Sequence, residues 1–441
     1  MSPFGSAAPS LDATPRILTI VVLALVIRLA PLPLVVRLLP RITAAGIAED
    51  GQAYYLPLAR TLARAGEFAI TPGQPYARHT PLYPFVLAGL ERLGLLAPAS
   101  VAALQALLGA AALVLIFVWV RRMAGPWPAF AAFLLAAVVP DFAAYSYLNL
   151  AEMPSIVLVL AALIAFQRAL AGGGLAWWGA TGAALGLAAL TREFCITLLA
   201  PLALWSVRTI PASRAAARIA VMIAATVLVI LPWTIRNYRL YGEFIPLTDK
   251  GGGNVYIGTL KGRHHASDAR RMWELEDPRQ AQVDRELRQR LEGVKSPSER
   301  SRLELQAAWR NVTDDPWGQV GFLPRKAWFF WQSNIGLRHG RRIGLTAVMA
   351  LAELLYWLGL TVAVAGTLAT RPDGVPRLFL WMLIGWIFVF HLFVGEAEPR
   401  YHFLALPFLF ALAGRGLAPW LRPDPGLEAP RARTDVASAE R

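Results

Sequence analysis

The hydrophobic positions fall into long unbroken runs, rather than narrow helical stripes or strict alternation, and these runs recur at near-spanning length along most of the chain. They predict membrane-crossing helices near 17–38, 100–120, 128–147, 152–171, 175–191, 193–208, 215–235, 343–369, 378–396 and 401–420. A shorter run, 81–95, opens with Pro81 and Pro84 and contains Glu91 and Arg92. Runs of that length are often re-entrant or interfacial, so the expected total is ten or eleven spans. A lipid-exposed segment has to satisfy its own backbone hydrogen bonds, which a helix does within one segment. The expected fold is therefore an all-α integral membrane protein. Its first run is too long for a signal-peptide core and lacks a small-residue cleavage site, so it reads as a retained span.

Between the runs lie two polar regions. The loop 39–80 carries an amphipathic helix with Tyr54, Tyr55, Leu58 and Leu62 on one side and Arg60 and Arg64 on the other. Residues 236–342 form a polar segment in which 263–310 reads as soluble helices. The resulting organisation is an N-terminus 1–16, a membrane core 17–235, the polar segment 236–342, C-terminal spans 343–422 and a disordered tail 423–441 rich in Pro, Ala and charge. No repeat of 20–50 residues is present.

Composition agrees: 56% of the 441 residues are hydrophobic and only 16% are charged. The net charge of +14 would suit nucleic acid, but the basic residues are arginines scattered at the ends of apolar runs, without an aromatic-interleaved stripe. They fit orientation in a bilayer better. Arg121, Arg122, Arg168, Arg208, Arg214, Arg218, Arg371, Arg377, Arg415 and Arg422 all fall on one side if the spans alternate, and that side is expected to be the cytoplasm. The loop 39–80, the segment 236–342 and the turn Glu396-Ala-Glu398-Pro-Arg400 then lie outside, at the plasma membrane of a bacterium on this reading. The single cysteine, Cys195, excludes an internal disulfide or cysteine metal cluster.

Candidate chemistry gathers on the external side. Glu49 and Asp50 are adjacent carboxylates next to an apolar surface; desolvation and mutual repulsion raise such pKa values, which suits a general base. Alternatively, both cap the following helix. Glu152 opens a span and is an ordinary capping position by itself; together with Asp50 it could hold a divalent cation or anchor sugar hydroxyls. Arg78, Arg192, Arg236 and Arg400 share one membrane face, and converging guanidinium groups suit a lipid phosphate, although each alone could be snorkelling. Thr248-Asp-Lys-Gly-Gly-Gly-Asn254 lacks the ending of a nucleotide loop and reads as a flexible turn near the site. Asn311-Val-Thr is a glycosylation sequon short enough to arise by chance, His264-His265 reads as solvated, and Trp328 and Trp331 suit an aromatic belt.

Asp50-x3-Tyr54 with Leu58-Ala59 and Leu62, followed by Arg78-His79-x-Pro81-Leu-Tyr-Pro84, resembles the opening of the GT-C polyprenyl-phosphate-sugar glycosyltransferases. These include the protein O-mannosyltransferase-like (glycosyltransferase family 39-like) and aminoarabinose lipid A transferase-like families. The resemblance continues through Pro140, Glu152, Gly186-Leu-Ala-Ala-Leu-Thr-Arg192, Pro232-Trp-x2-Arg236-Asn237, Gly251 to Gly258, Arg400-Tyr401 and Pro407, covering roughly 17–258 and 375–420. It implies a GT-C bundle and a sugar donor on undecaprenyl or dolichyl phosphate used outside the cytoplasm. It also implies Asp50 as catalytic base and Glu152 as a second acidic site residue. Glu49, Tyr54, Arg78, His79, Arg192, Arg236, Asn237, Arg400 and Tyr401 are the expected substrate contacts. Two departures stand out: Pro57, which should kink the amphipathic helix, and the Glu-Asp order of the acidic pair.

The function expected is transfer of a sugar from a polyprenyl-phosphate donor to a lipid, glycan or protein acceptor. The rival is a transporter or flippase, which needs ionisable groups deep in its spans; Arg28 and His391 are the candidates. A non-catalytic scaffold is the third possibility and would leave the external carboxylates dispensable.

Overall fold

A computed structural model describes residues 16–44, 47–264, 273–275, 277–333, 346–369, 375–395 and 398–421. The N-terminus and the tail, on which two sequence expectations fall, lie outside the described residues, as do His265, Glu396 and Arg422. The chain is a multi-pass integral membrane protein. Five described helices are individually long and apolar enough to cross a bilayer: α5 (Pro98–Ala124), α8 (Glu152–Leu170), α11 (Ala212–Tyr241), α16 (Thr346–Ala369) and the run Pro399–Ala418. The last comprises a 3₁₀ segment, Pro399–Ala405, and α18 (Leu406–Leu421). Helices α1 (Ile17–Leu29) and α2 (Leu32–Ala44), bent by 42° where Pro31 interrupts the run, are long and apolar enough only together, as a broken span or a re-entrant pair.

Fewer helices pass than the ten or eleven spans expected, because several runs are broken or short. The run 128–147 divides into α6 (Pro126–Val138) and α7 (Pro140–Tyr145) at Pro140. The run 175–191 becomes α9 (Gly174–Ala189), and 193–208 becomes a 3₁₀ segment, Glu193–Leu198, followed by α10 (Leu199–Thr209). Helix α17 (Val375–Phe393) is apolar but falls just below span length over Arg377–Phe393. The run 81–95 forms α4 (Leu82–Arg92), whose 11 residues reach about 16 Å, well under a hydrocarbon core of about 30 Å. It packs instead on α3 (Leu56–Ala65) through Tyr83, Leu87, Ala88 and Ala59.

The centre of the bundle is α5, α6, α8 and α18, with α9 linking α8 to α11 and α16 lying along α18. Trp119, Phe133, Phe142, Phe166, Trp178 and Trp205 are fully buried there. Lipid provides no hydrophobic drive between helices, so close approach depends on small residues. Gly182 and Gly186 let α9 approach α11 so tightly that a Cβ on Gly182 would stand 2.0 Å from the Met222 carbonyl oxygen.

The break at Pro140 explains the buried Arg28. Proline has no N–H to offer Ala136, and the Arg28 guanidinium donates to the Ala136 carbonyl at 2.9 Å and the Ala137 carbonyl at 3.2 Å. His391 likewise shares a hydrogen bond with the Ile387 carbonyl of its own helix at 2.8 Å. Both ionisable groups that favoured a transporter therefore have local structural partners.

The polar segment begins only after Tyr241, since α11 continues past Pro232 to a left-handed cap at Gly242. It contains α12 (Gly251–Gly258), a two-stranded antiparallel pairing of β1 (Gly262–His264) and β2 (Trp273–Leu275), then α13 (Pro278–Leu291), α14 (Pro297–Thr313) and α15 (Pro316–Phe330). The strand pair is a small exception to the all-α expectation. Asp277, Ser296 and Asp315 each cap a helix that has proline at its first position, a pattern that satisfies one orphan N–H and needs none from proline. Tyr256, Val283, Leu287, Leu303 and Ala307 form its core. Lys326 ties it to the bundle by donating to the carbonyls of Gly258 and Leu392 at 2.7 and 2.6 Å. Asn311 of the sequon is buried in α14, its amide held by Thr259 at 3.0 Å, so the folded chain does not present it.

Candidate functional site

The first loop enters the site through a sharp local conformation. Ala48 has φ 62, the left-handed region, and Gly51–Tyr55 form a π turn leading into α3. Pro57 consequently falls in the first turn of α3, where its missing N–H costs nothing, and the expected kink is replaced by this upstream π turn. Gly51 is required by space: a Cβ there would lie 2.4 Å from the Asn149 carbonyl oxygen. Asn149 donates to the Gly51 carbonyl at 3.2 Å and accepts from Tyr83 at 2.7 Å, so the turn before Glu152 is fastened to the π turn.

The two adjacent acids part company. Glu49 is exposed, whereas Asp50 is partly buried and makes no capping bond. Its Oδ2 accepts instead from Arg400 Nη1 at 2.7 Å. Arg400 Nε stands 2.6 Å from Glu398 Oε2, placing one guanidinium between two carboxylates. Burial pushes the Asp50 carboxyl up, but Arg400 and Lys250 outweigh it and hold the group below the ordinary carboxylate range. The sequence had suggested an elevated value; its two neighbouring cations are distant in the chain and could not be seen there.

Beside Asp50 stands an aromatic and basic wall. Tyr54 stacks on His79 with ring centroids 4.4 Å apart, and Tyr76 lies parallel to His79 on the same network. Lys250 Nζ is 2.8 Å from His79 Nε2, and the Tyr76 hydroxyl is 2.7 Å from Nδ1. A charged lysine can only donate, which assigns the proton of neutral His79 to Nδ1 and leaves the Tyr76 oxygen as its acceptor. Burial, followed by the charge of Lys250, pushes His79 far below its usual range, so it stays neutral. Burial also lowers Lys250, opposed by Glu193 and Asp50.

Glu152 pairs with Arg192 at 2.5 Å, and its other oxygen is buried without a hydrogen bond. Arg192 and Arg400 both lie over the Tyr401 ring, at 5.5 and 5.2 Å, while Tyr401 stacks on His391. Arg236 behaves differently from the other arginines expected to meet phosphate. It donates to the carbonyls of Tyr76 and Phe68 at 2.9 and 3.1 Å, and to Asn237 at 2.9 Å. Asn237 is buried and donates to the Ile245 carbonyl. Arg236 thus braces the loop that carries His79, and Asn237 ties that arginine to the segment at Ile245. Arg78 is half-buried and makes no hydrogen bond or ion pair to another described residue.

A divalent cation does not fit the Asp50 and Glu152 pair as arranged, because each carboxylate already faces its own guanidinium and cations of that kind want several oxygen ligands. Among the described residues no group of three candidate side chains could hold one. Sequence reasoning missed Lys250, Tyr76, Asn149 and the role of Glu398 in orienting Arg400. Only Lys250 had a signal, since its Gly-rich segment had been placed near the site as a flexible turn; that turn is the start of α12.

Residues 78–235 match the family model of dolichyl-phosphate-mannose-protein mannosyltransferase, so the resemblance read from the residues is found again by comparison over that stretch. No curated protein sequence matches the chain. Among solved structures, the chain is similar to the Archaeoglobus fulgidus oligosaccharyltransferase AglB in complex with an inhibitory peptide and a dolichol-phosphate. That similarity has 15% identity and TM-score 0.49, covering 90% of this chain and 50% of that one. A second structure of the Archaeoglobus fulgidus enzyme, tethered to an acceptor peptide, gives 14% identity and TM-score 0.48, with 90% and 49% covered. ArnT from Cupriavidus metallidurans bound to undecaprenyl phosphate gives 15% identity and TM-score 0.40, with 87% and 77% covered. The chain spans about half the length of the oligosaccharyltransferase structures.

Proposed function

We infer, from a chain whose residues 78–235 carry the mannosyltransferase family pattern, that the protein is a membrane glycosyltransferase of the GT-C type using a polyprenyl-phosphate sugar. The observation that carries this reading is the meeting of Asp50, Arg400 and Lys250 at one end of the bundle. A displacement of this type needs a base and a phosphate-binding cation close together, and these residues supply both.

The acceptor hydroxyl or amine attacks the anomeric carbon and passes its proton to the Asp50 carboxylate. The bond from that carbon to the phosphate oxygen breaks, and polyprenyl phosphate leaves with the electron pair. Inversion at the anomeric carbon follows from a single displacement. Arg400 and Lys250, with Arg78 free to turn inward, neutralise the departing phosphate. In the ligand-free arrangement Arg400 and Lys250 depress the basicity of Asp50; a phosphate that engages them would weaken their hold on Asp50 and make it a better base in the loaded site. The donor reaches this end of the bundle from the bilayer, on the face we assign to the outside of the cytoplasm.

Purified protein in liposomes, incubated with radiolabelled polyprenyl-phosphate sugars, should release or transfer the sugar. Asp50→Asn should reduce turnover on the order of a hundredfold or more while donor binding persists. Full activity in a folded Asp50→Asn variant would refute Asp50 as the base, whereas no release or transfer of sugar by the unmodified protein would return attention to the scaffold reading.

A further inference from the structure

A second polar cluster lies where the first loop meets the outer segment, and its two carboxylates have no part in the reaction above. The Asp249 N–H donates to the Ala77 carbonyl at 3.2 Å, which brings Asp249 beside Arg78. Four residues on, Gly253 backs onto the carboxylate of Glu304 from α14; a Cβ at Gly253 would be 3.2 Å from Oε2. Gly252 is required by space, since a Cβ there would lie 2.3 Å from the Ser301 carbonyl oxygen. The glycines thus draw α14 against the start of α12 and bring its carboxylate to the Arg78 side.

Three features of this cluster are left open. Glu304 is only 6% exposed, and its Oε2 has no hydrogen-bond partner. Asp249 Oδ1 is buried and equally unpartnered. Arg78 has no ion pair within 4 Å among the described residues. Burial raises both carboxyls, opposed by Arg78 and Arg300 and by one backbone N–H each, that of Gly253 for Glu304 and its own for Asp249, which leaves Oε2 and Oδ1 as the unmet oxygens. An unmet buried acceptor is costly, and in native structures such groups are met by water, an ion or a ligand. The approach is from Gly251, which is exposed and has open space around its Cβ direction.

We propose that Asp249, Glu304 and Arg78 form a subsite that reads the hydroxyl groups of a sugar, which can donate to the two carboxylates and accept from the guanidinium. This rests on the glycosyltransferase reading and deepens it: Lys250 faces the Asp50 side, while its neighbour Asp249 faces the outer segment. A site built to bond hydroxyls strongly rejects analogues that lack them. The sugar belongs either to the donor or to the acceptor, and the chemistry is the same.

Protein in nanodiscs is titrated with methyl hexosides and their deoxy analogues, binding being followed by saturation-transfer NMR. The hexosides should bind at millimolar concentration and the deoxy analogues more weakly. Glu304→Gln and Asp249→Asn, with unfolding temperature monitored, should each weaken hexoside binding at least tenfold, whereas Asp50→Asn should leave it intact. In the donor-hydrolysis assay, a raised donor KM in these variants assigns the sugar to the donor; an unchanged donor KM with lost transfer assigns it to the acceptor. Absence of hexoside binding to the unmodified protein, or equal binding in folded Glu304→Gln and Asp249→Asn, overturns the proposal. Because binding is read without turnover, that result is separable from failure of Asp50 as the base.

Discussion

Single side chains here act through partners remote in sequence. Asp50 and Arg400 lie at opposite ends of the chain yet are 2.7 Å apart, and each keeps the other's charge from being stranded. A depressed carboxyl contributes stability that is present above its unfolded pKa and lost as pH falls through the folded value. The acid limb of kcat/KM, which reports the free enzyme, should therefore fall below the ordinary aspartate range of about 3.9. An acid limb near neutrality would show that another group is the base. Arg28→Met should unbind two buried carbonyls, costing about 2–4 kcal/mol in a detergent unfolding titration, with little direct effect on sugar chemistry.

Elements are held by fit at specific contacts. Gly182→Val would thrust a side chain into the Met222 carbonyl, separating α9 from α11; a loss of about 2–4 kcal/mol in unfolding free energy is expected. Gly51→Ala should have a more local consequence. It displaces Asn149, loosens the π turn that positions Asp50, and lowers kcat at least tenfold while changing the unfolding temperature only slightly. A variant with unchanged kcat would mean that the turn does not position the base. Runs of apolar sequence announce that helices exist, but breaks such as Val139–Pro140 and the 3₁₀ segment at Glu193 depend on how freed carbonyls are met by other helices.

Across the whole molecule, the candidate site residues collect at one end of the bundle, while Arg168 and Arg218 lie at the other, over Trp177 and Trp178. This polarity fits an orientation set by positive charge. Because Cys195 is buried, cysteines placed by substitution at exposed Gly251 and Gly172 can be labelled selectively. In sealed right-side-out vesicles, a membrane-impermeant maleimide should modify the Gly251→Cys protein at once and the Gly172→Cys protein only after the vesicles are opened. The reverse pattern would place the site on the cytoplasmic side and remove the proposed geometry.

The family resemblance, the helical membrane class and the gathering of Asp50, Glu152 and the arginines at one end were legible in the residues. Local apolarity and residue spacing carry that information directly. Which charge meets which was not. Arg236 and Arg400 look alike in sequence, yet one braces backbone carbonyls and the other neutralises Asp50. Lys250 became a partner of His79 in the first loop, and Glu304 a neighbour of Gly253, only when the polar segment folded. Such pairings depend on distances across the folded chain, where burial strips water from a charge and leaves its neighbours to compensate; tertiary structure alone decided them.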